Sequence, residues 1–379
     1  MIYLDNSATT KPYNEALDAF RKTSENFFAN PSSLHRKGGE AERLLRQARS
    51  SIAELLHVKI NEVIFTSGGT ESNNLAIKGT AFQYLNQGKH LITSCIEHAS
   101  TLEAFRQLEL LGFSVTYLPV DQDGKVSLDE LKKALTPDTI LVSIMHVNNE
   151  LGSIQPIKEI GHLIKQKSRA LFHIDDVQGI GKVPLDFNDV QADLVSYSAH
   201  KFHGLKGNGL LIKGEKITLL PLLSGGGQER EIRSGTENGP GIVAMAKALR
   251  LYLNRAKTQK RMLETLRTHV FAELSIIEGI ELNSSMSGAP HIVNFSVPGI
   301  KPEVLIHALE EKEIYVSTRS ACSSKTAEIS HVLAAIGLTT IRARSAIRIS
   351  LSFETTKEQI DIFLNELQTE VPKLKQVMR

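Results

Sequence analysis

The stretch VIFTSGGTESNNLA, residues 63–76, decides the fold. Val63 to Phe65 is a short apolar run, Thr66-Ser67-Gly68-Gly69-Thr70 is a Gly-rich turn, and the residues through Ala76 read as a helix. Strand, tight turn and helix in that order form the repeating unit of parallel sheets. The alternation continues outward. Apolar runs recur at Leu91 to Thr93, Val115 to Leu118, Ile140 to Met145, Ala170 to Ile174 and Leu194 to Tyr197, mostly separated by helical patterns. Upstream, Ala41, Leu44, Leu45, Ala48, Ile52, Leu55 and Leu56 keep helical spacing, with Arg and Glu on the other face, which predicts an amphipathic helix over 40–56. The expectation is an α/β domain on a mainly parallel sheet.

The character changes beyond Gly239. Ile242 to Leu274 reads as one long helical stretch, a candidate hinge between domains. After it come strand candidates at His291 to Val297 and Ala346 to Leu351, separated by a Ser-rich loop around Cys322, and then a final helix. Ile360, Phe363, Leu364, Leu367 and Val371 line one face of that helix. Thr355 or Thr356 can cap it, with Glu358 or Gln359 completing a capping box. The reading gives a large α/β domain over 16–257 and a smaller α+β domain, from 1–15 and 258–379, carrying the Cys322 loop.

A chain of 379 residues exceeds one typical core and can bury a deep site. With 44 Lys+Arg against 42 Asp+Glu, the net charge of +2 supplies no general attraction to nucleic acid or anionic membrane. Two cysteines, Cys95 and Cys322, make no disulfide framework, and MIYLDNSATT has neither a basic nor an apolar leader region. No apolar run approaches bilayer length. These features fit a cytoplasmic protein.

In an open parallel sheet, ligands sit beyond the carboxyl ends of the strands, so the polar residues that follow apolar runs are the ones to inspect. Ser67-Gly68-Gly69-Thr70 is either an ordinary turn or a phosphate site, where free N–H groups, the helix dipole and a hydroxyl meet. Asp175 and Gln178 follow one run, and Ser198-Ala199-His200-Lys201 follow another. An acid and a lysine so placed form a salt bridge or serve a Schiff-base enzyme, in which the amine binds a carbonyl cofactor and the acid keeps a pyridine nitrogen protonated. Glu97-His98 and His146-Val147-Asn148-Asn149-Glu150 follow two more runs and add an aromatic face, an amide and an acid/base group. A metal reading of His200, His203 and Asp175 is weaker, because the His pair has i, i+3 spacing beside a lysine and no cysteine cluster.

These residues stand in motifs that run along nearly the whole chain: YLDNSATT at the start, NPSSLH at 30–35, FTSGGTESNN at 65–74, EHAS at 97–100, MHVNNELG at 145–152, HIDDVQ at 173–178, SAHKFHG at 198–204, RSGTEN at 233–238, SACSS at 320–324 and IRISL at 347–351. In this order the sequence resembles the cysteine desulfurases of the NifS and IscS type, within the class V aminotransferase group of fold type I pyridoxal-phosphate enzymes. The resemblance implies a seven-stranded mainly parallel sheet, bound pyridoxal 5'-phosphate and a homodimer. It makes Lys201 the lysine that anchors the cofactor, Asp175 the partner of its ring nitrogen, and His98 the stacking and acid/base histidine. Asn149 and Gln178 match side chains near the cofactor hydroxyl and the substrate. Gly69, Thr70, Ser198 and His200 match the phosphate site, with Thr236 reaching the phosphate of the neighbouring subunit. Arg348 matches the arginine that takes the carboxylate of L-cysteine, a task suited to a planar guanidinium.

Cys322 matches the persulfide carrier that passes sulfur to an acceptor protein, for iron–sulfur cluster assembly or for tRNA or cofactor thiolation. Its surroundings agree, since a thiol among Ser, Arg and Lys favours thiolate, whereas Cys95 beside an apolar run reads as core. Two departures stand out. Arg319 replaces the glycine that many relatives carry before Ser-Ala-Cys, and Thr326-Ala327-Glu328-Ile329 lacks the usual Glu-Pro. Rival readings are a class V aminotransferase or selenocysteine lyase on the same fold, and a non-catalytic binding subunit.

Overall fold

The computed structural model of the chain describes residues 1–318 and 329–377. The strands, in chain order, are β1 (Ile2–Tyr3), β2 (Val63–Thr66), β3 (His90–Ser94), β4 (Ser114–Leu118), β5 (Thr139–Met145), β6 (Leu171–Asp175), β7 (Leu194–Ser198), β8 (Gly209–Lys213), β9 (Glu281–Leu282), β10 (Ile292–Ser296), β11 (Ile314–Tyr315) and β12 (Ala346–Ser350). The main sheet has seven strands in the order β2-β8-β7-β6-β5-β3-β4. β4, β3, β5, β6 and β7 run parallel, and β8 pairs antiparallel with both β7 and β2. Every residue of β5, β7 and β8 is buried. Strands covered on both faces read as continuous apolar runs and not as alternation, which is the pattern the sequence has.

Each parallel strand from β3 to β6 is followed by a helix, among them Ala99–Leu110 after β3 and Ile157–Lys167 after β5, or by a turn at its carboxyl end. The amphipathic helix spans Arg36–Leu55 and starts earlier than its apolar spacing predicts, because Gly38 and Gly39 in its first turn carry no periodic signal. His35 caps it, with Nδ1 accepting from the Gly38 N–H at 3.1 Å. The stretch read as one long helix is a single helix, Gly239–Ile276, which passes through position 257. It packs first on the helices Asn14–Asn26 and Arg36–Leu55, and then on β9, β10 and the C-terminal helix.

The C-terminal part forms a three-stranded antiparallel sheet, β12-β10-β9, and β1 pairs parallel with β11. The last helix, Lys357–Val377, has the expected capping box. The Gln359 N–H donates to Thr356 Oγ1 at 3.3 Å and the Thr356 N–H donates to Gln359 Oε1 at 3.1 Å. No helix of the described residues is long and apolar enough to cross a membrane.

One feature positions the site. After β1 the chain is stitched to β12, where the Ser350 N–H donates to Leu4 O at 2.6 Å and Asn6 Nδ2 donates to Ser350 O at 2.9 Å. It then crosses to the main sheet, where the Thr10 N–H donates to His200 O at 2.9 Å. Residues 4–10 therefore strap the small C-terminal sheet to the turn after β7.

Candidate active site

A cavity of about 500 Å³ opens at the carboxyl ends of β2, β5, β6 and β7. At its floor, Gly68 precedes the helix Gly69–Gln83 with φ +153°, a conformation that L side chains rarely adopt. The helix amides at Gly69 and Thr70 therefore begin inside the cavity lining. A Cβ on Gly69 would lie 3.0 Å from Val177 Cγ2 and 3.5 Å from Ser198 Cβ, so glycine keeps this cradle open. Glu71 braces the turn, accepting from the Ser67 N–H at 2.8 Å and from Arg233 Nε at 2.9 Å.

The wall above it comes from the strand ends. Asp175 closes β6 and is buried; its Oδ2 accepts from Asn73 Nδ2 at 2.7 Å and its Oδ1 from the Val177 N–H at 3.0 Å. Asn73 also donates to Ser100 Oγ at 2.9 Å, which ties Asp175 to the turn that carries His98. The Ser100 N–H donates to His98 Nδ1 at 3.1 Å, so the neutral imidazole carries its proton on Nε2. Burial pushes the His98 pKa down, against the pull of Asp175. Burial likewise lowers His200 to about 3, and its Nδ1 lies 3.1 Å from Thr9 Oγ1. Lys201 Nζ donates to Ala8 O at 2.8 Å and to Ser7 O. Beneath His98, Glu97 is buried; Ser94 Oγ and the Met145 N–H donate to its Oε1, and burial pushes its carboxyl up to about 8.

The opposite wall holds Arg348 of β12, 1 % exposed. Its Nη1 donates to Asn149 O at 2.9 Å and its Nη2 to Asp5 Oδ1 at 2.8 Å. Gln178 Nε2 donates to Ser7 O at 2.9 Å. Four buried atoms of cavity residues, Ser7 Oγ, Gln178 Oε1, Asn73 Oδ1 and Arg348 Nε, have no partner among the described residues. Buried polar atoms are rarely left unpaired, so these suit a polar ligand. A phosphate cradle at a helix start, a lysine amine, a buried carboxylate and a flat neutral imidazole fit pyridoxal phosphate.

The structure thus brings Gly69, Thr70, His98, Asn149 and Asp175 into one cavity with Gln178, Ser198, His200, Lys201 and Arg348. Thr236 stands apart, lining a second cavity of about 290 Å³ with Phe27, Phe28 and Val243. His203 also leaves the site, its ring stacked on Tyr13 at 4.4 Å. Cys322, Arg319 and Thr326 to Glu328 lie outside the described residues. Both flanks of that segment bond to Arg348 or to the neighbour of Asn149. The Ser317 N–H donates to Arg348 O at 3.1 Å, and Ser330 Oγ donates to Glu150 Oε2 at 2.5 Å, next to Asn149. Cys95 is half-buried rather than fully in the core, and burial pushes its thiol up.

Sequence reasoning gave no role to Asp5 or Asn73. Asn73 lies one turn after Gly69 on the same helix, a signal that was readable in FTSGGTESNN. Asp5 meets Arg348 from 343 residues away, and no local pattern announces that pairing.

The profile of the class-V aminotransferase family matches residues 2–363. Cysteine desulfurase IscS of Dictyoglomus turgidum is 44% identical, over 99% of this chain and 96% of that protein. A NifS/IcsS protein homolog of Lactobacillus delbrueckii subsp. bulgaricus is 47% identical, over 96% of this chain and 95% of its own length. Among solved structures, a NifS-like protein superposes with a TM-score of 0.93 at 38% identity, covering 98% of this chain and 100% of that one. SspA in complex with cysteine superposes with a TM-score of 0.83 at 35% identity, covering 94% of this chain and 100% of that one.

Proposed function

The chain belongs to the class-V aminotransferase family, alongside its cysteine desulfurases, and on that premise we propose that it converts L-cysteine to L-alanine and carries the released sulfur as a persulfide on Cys322. The observation that carries this reading is the convergence of Lys201, Asp175 and His98 opposite Arg348 in one cavity. The family is pyridoxal-phosphate dependent, and here Lys201 would hold the cofactor through its amine, with Asp175 serving the ring nitrogen, His98 the ring, and Gly69, Thr70, Ser198 and His200 the phosphate. Bound pyridoxal phosphate supplies an electron sink for negative charge next to the amino group.

The protein's own groups do the rest. Arg348 takes the substrate carboxylate, with Asn149 supporting it through the carbonyl that Nη1 already holds. Lys201 moves the proton at the substrate α-carbon, while His98, kept neutral by burial, stacks and offers its Nε2 proton. The Cys322 thiolate attacks the substrate sulfur, so an S–S bond forms as the bond from Cβ to sulfur breaks. The electron pair of that bond stays with the carbon skeleton, which takes up a proton at Cβ and leaves as alanine.

The same reading includes the division into 16–257 and 1–15 with 258–379, a homodimer in which Thr236 serves the partner's phosphate, a sulfur-acceptor protein for iron–sulfur assembly or thiolation, and a cytoplasmic setting. Exposed Phe28 beside the Thr236 cavity is the kind of apolar surface a second subunit covers.

Cys322→Ala tests it. The variant should keep its cofactor and still respond spectroscopically to cysteine, yet lose alanine release and the added sulfur atom seen by mass spectrometry. Cys95→Ala should behave as the parent. Parental alanine release by Cys322→Ala, or the extra sulfur on Cys95, would favour a lyase on the same fold.

A further inference from the structure

We infer that Asp5 sets the charge that Arg348 offers to a ligand, and thereby restricts the cavity to amino acids with a single negative charge. This deepens the reading of Arg348 as the carboxylate site and rests on it. The placement of Asp5 follows from register. Asp5 bridges Ser350, two residues after Arg348 on β12, so its carboxylate falls beside the guanidinium, 2.8 Å from Nη2. Both side chains are largely withdrawn from solvent, at 1% exposure for Arg348 and 19% for Asp5.

In such a setting a charge pair acts over a longer range than in water. Alone, Arg348 would add an unneutralised cation to the cavity lining, where Asp175 is an acid without an ion pair among the described residues. Glu71, the other acid on the lining, is already paired with Arg233. With Asp5 against it, the guanidinium is close to neutral as a pair but retains donors. Its bonds to Asn149 O and Asp5 Oδ1 occupy two of its five N–H groups, and Nε has no partner among the described residues. The pair therefore binds one carboxylate through directed hydrogen bonds and adds little attraction for a second. An amino acid with an acidic side chain places its extra charge near Asp5 and is repelled; one with a neutral side chain is not.

The measurement is calorimetric binding of L-alanine and of L-aspartate to the holoprotein. The parent should bind L-alanine more tightly. Asp5→Asn should move the ratio of the two dissociation constants about tenfold toward aspartate, the effect of removing one charge at short range in a partly buried site. Asp5→Glu should return the ratio to the parental value. A parent that binds both ligands equally, or an Asp5→Asn ratio within about twofold of the parent, overturns the inference. If Asp5→Asn does not fold, Asp5→Ser supplies the same neutral comparison, and the parental ratio still decides. Arg348→Ala separates the two levels. Loss of L-alanine binding in that variant together with an unmoved Asp5→Asn ratio removes the role of Asp5 alone, whereas undiminished L-alanine binding removes the carboxylate site and the inference with it.

Discussion

The two walls of the cavity are built by different means. The main-sheet wall consists of residues that follow their own strands: Asp175 at the end of β6, Ser198 at the end of β7 with His200 and Lys201 in the turn beyond it, and His98 shortly after β3. Asp175 and His98 are joined within the wall, through Asn73 and Ser100. The facing wall is assembled from chain ends. Arg348 comes from β12, Asp5 from just after β1, and residues 4–10 lace one wall to the other. The first wall is preorganised by local geometry; the second exists only when the two ends of the chain have met.

The largest break in the comparison comes from Lys201→Ala. The lysine amine belongs to the first wall, yet it is held by the Ser7 and Ala8 carbonyls of the strap. Removing it takes away the covalent anchor and the proton carrier together, so sulfide and alanine formation should fall by at least about a thousandfold, in the range expected for loss of a nucleophile or general base. Borohydride treatment followed by peptide mass spectrometry should place the cofactor mass on the Lys201 peptide of the parent only. Persistence of that adduct or of turnover would move the anchor elsewhere.

Arg348→Ala tests the second wall. It should raise KM for cysteine about a hundredfold through loss of a charge-assisted contact, while cofactor affinity stays near the parental value. It also leaves Asp5 without its cation, so the protein should lose on the order of 3 kcal/mol of stability in a denaturant titration. A parental KM would place the carboxylate site on the first wall.

This contrast also explains what the sequence made legible. Asp175, Lys201 and His98 each follow an apolar run, so strand, turn and functional residue are read in one window. The main sheet was readable for the same reason, whereas the antiparallel β8 was not, because GLLIK at 209–213 has no pattern that tells its direction or its neighbours β7 and β2. The short strands β1, β9 and β11 have two residues each and draw their stability from long-range pairing alone. Arg348 was found through the resemblance of IRISL, but its partner Asp5 depends on a register between residues 5 and 350. The long helix was legible from its spacing in the same way, whereas its contacts with both parts of the chain depend on packing that spacing does not report.

A further contrast concerns charge at depth. Glu97, one residue before His98, has a carboxyl raised to about 8 by burial. Its folded pKa lies above the ordinary value of about 4.3, so the folded protein binds the extra proton between these limits. Stability should therefore be greatest at low pH within this window and fall as pH rises toward about 8, by on the order of 2 kcal/mol between pH 6 and pH 9. Glu97→Gln, which is neutral at every pH, should flatten that part of the profile in urea titrations. An unchanged slope would assign the pH dependence to another group.

The smallest expected effect probes the cradle at the base of the first wall. Gly69 starts its helix with no side chain, and a Cβ there would sit 3.0 Å from Val177 Cγ2, closer than ordinary van der Waals contact. Val177 lies between Asp175 and Gln178 in the turn after β6, and its N–H donates to Asp175 Oδ1 at 3.0 Å. A methyl at position 69 can be accommodated only if that turn yields or the cradle narrows against Ser198, whose Cβ would be 3.5 Å away. Either adjustment disturbs the phosphate end or the ring-nitrogen end, so Gly69→Ala should weaken cofactor affinity about tenfold, equivalent to ~1.4 kcal/mol, in reconstitution of the apoprotein. The second wall is not touched, so the KM for cysteine at saturating cofactor should stay close to parental. Trimming the obstacle gives the control. Gly69→Ala combined with Val177→Ala should recover most of the lost affinity, because the added methyl then occupies the volume that the valine gives up. Parental affinity in Gly69→Ala alone would mean that the phosphate does not lie in this cradle, and failure of Val177→Ala to restore binding would shift the cause from the Asp175 turn to Ser198.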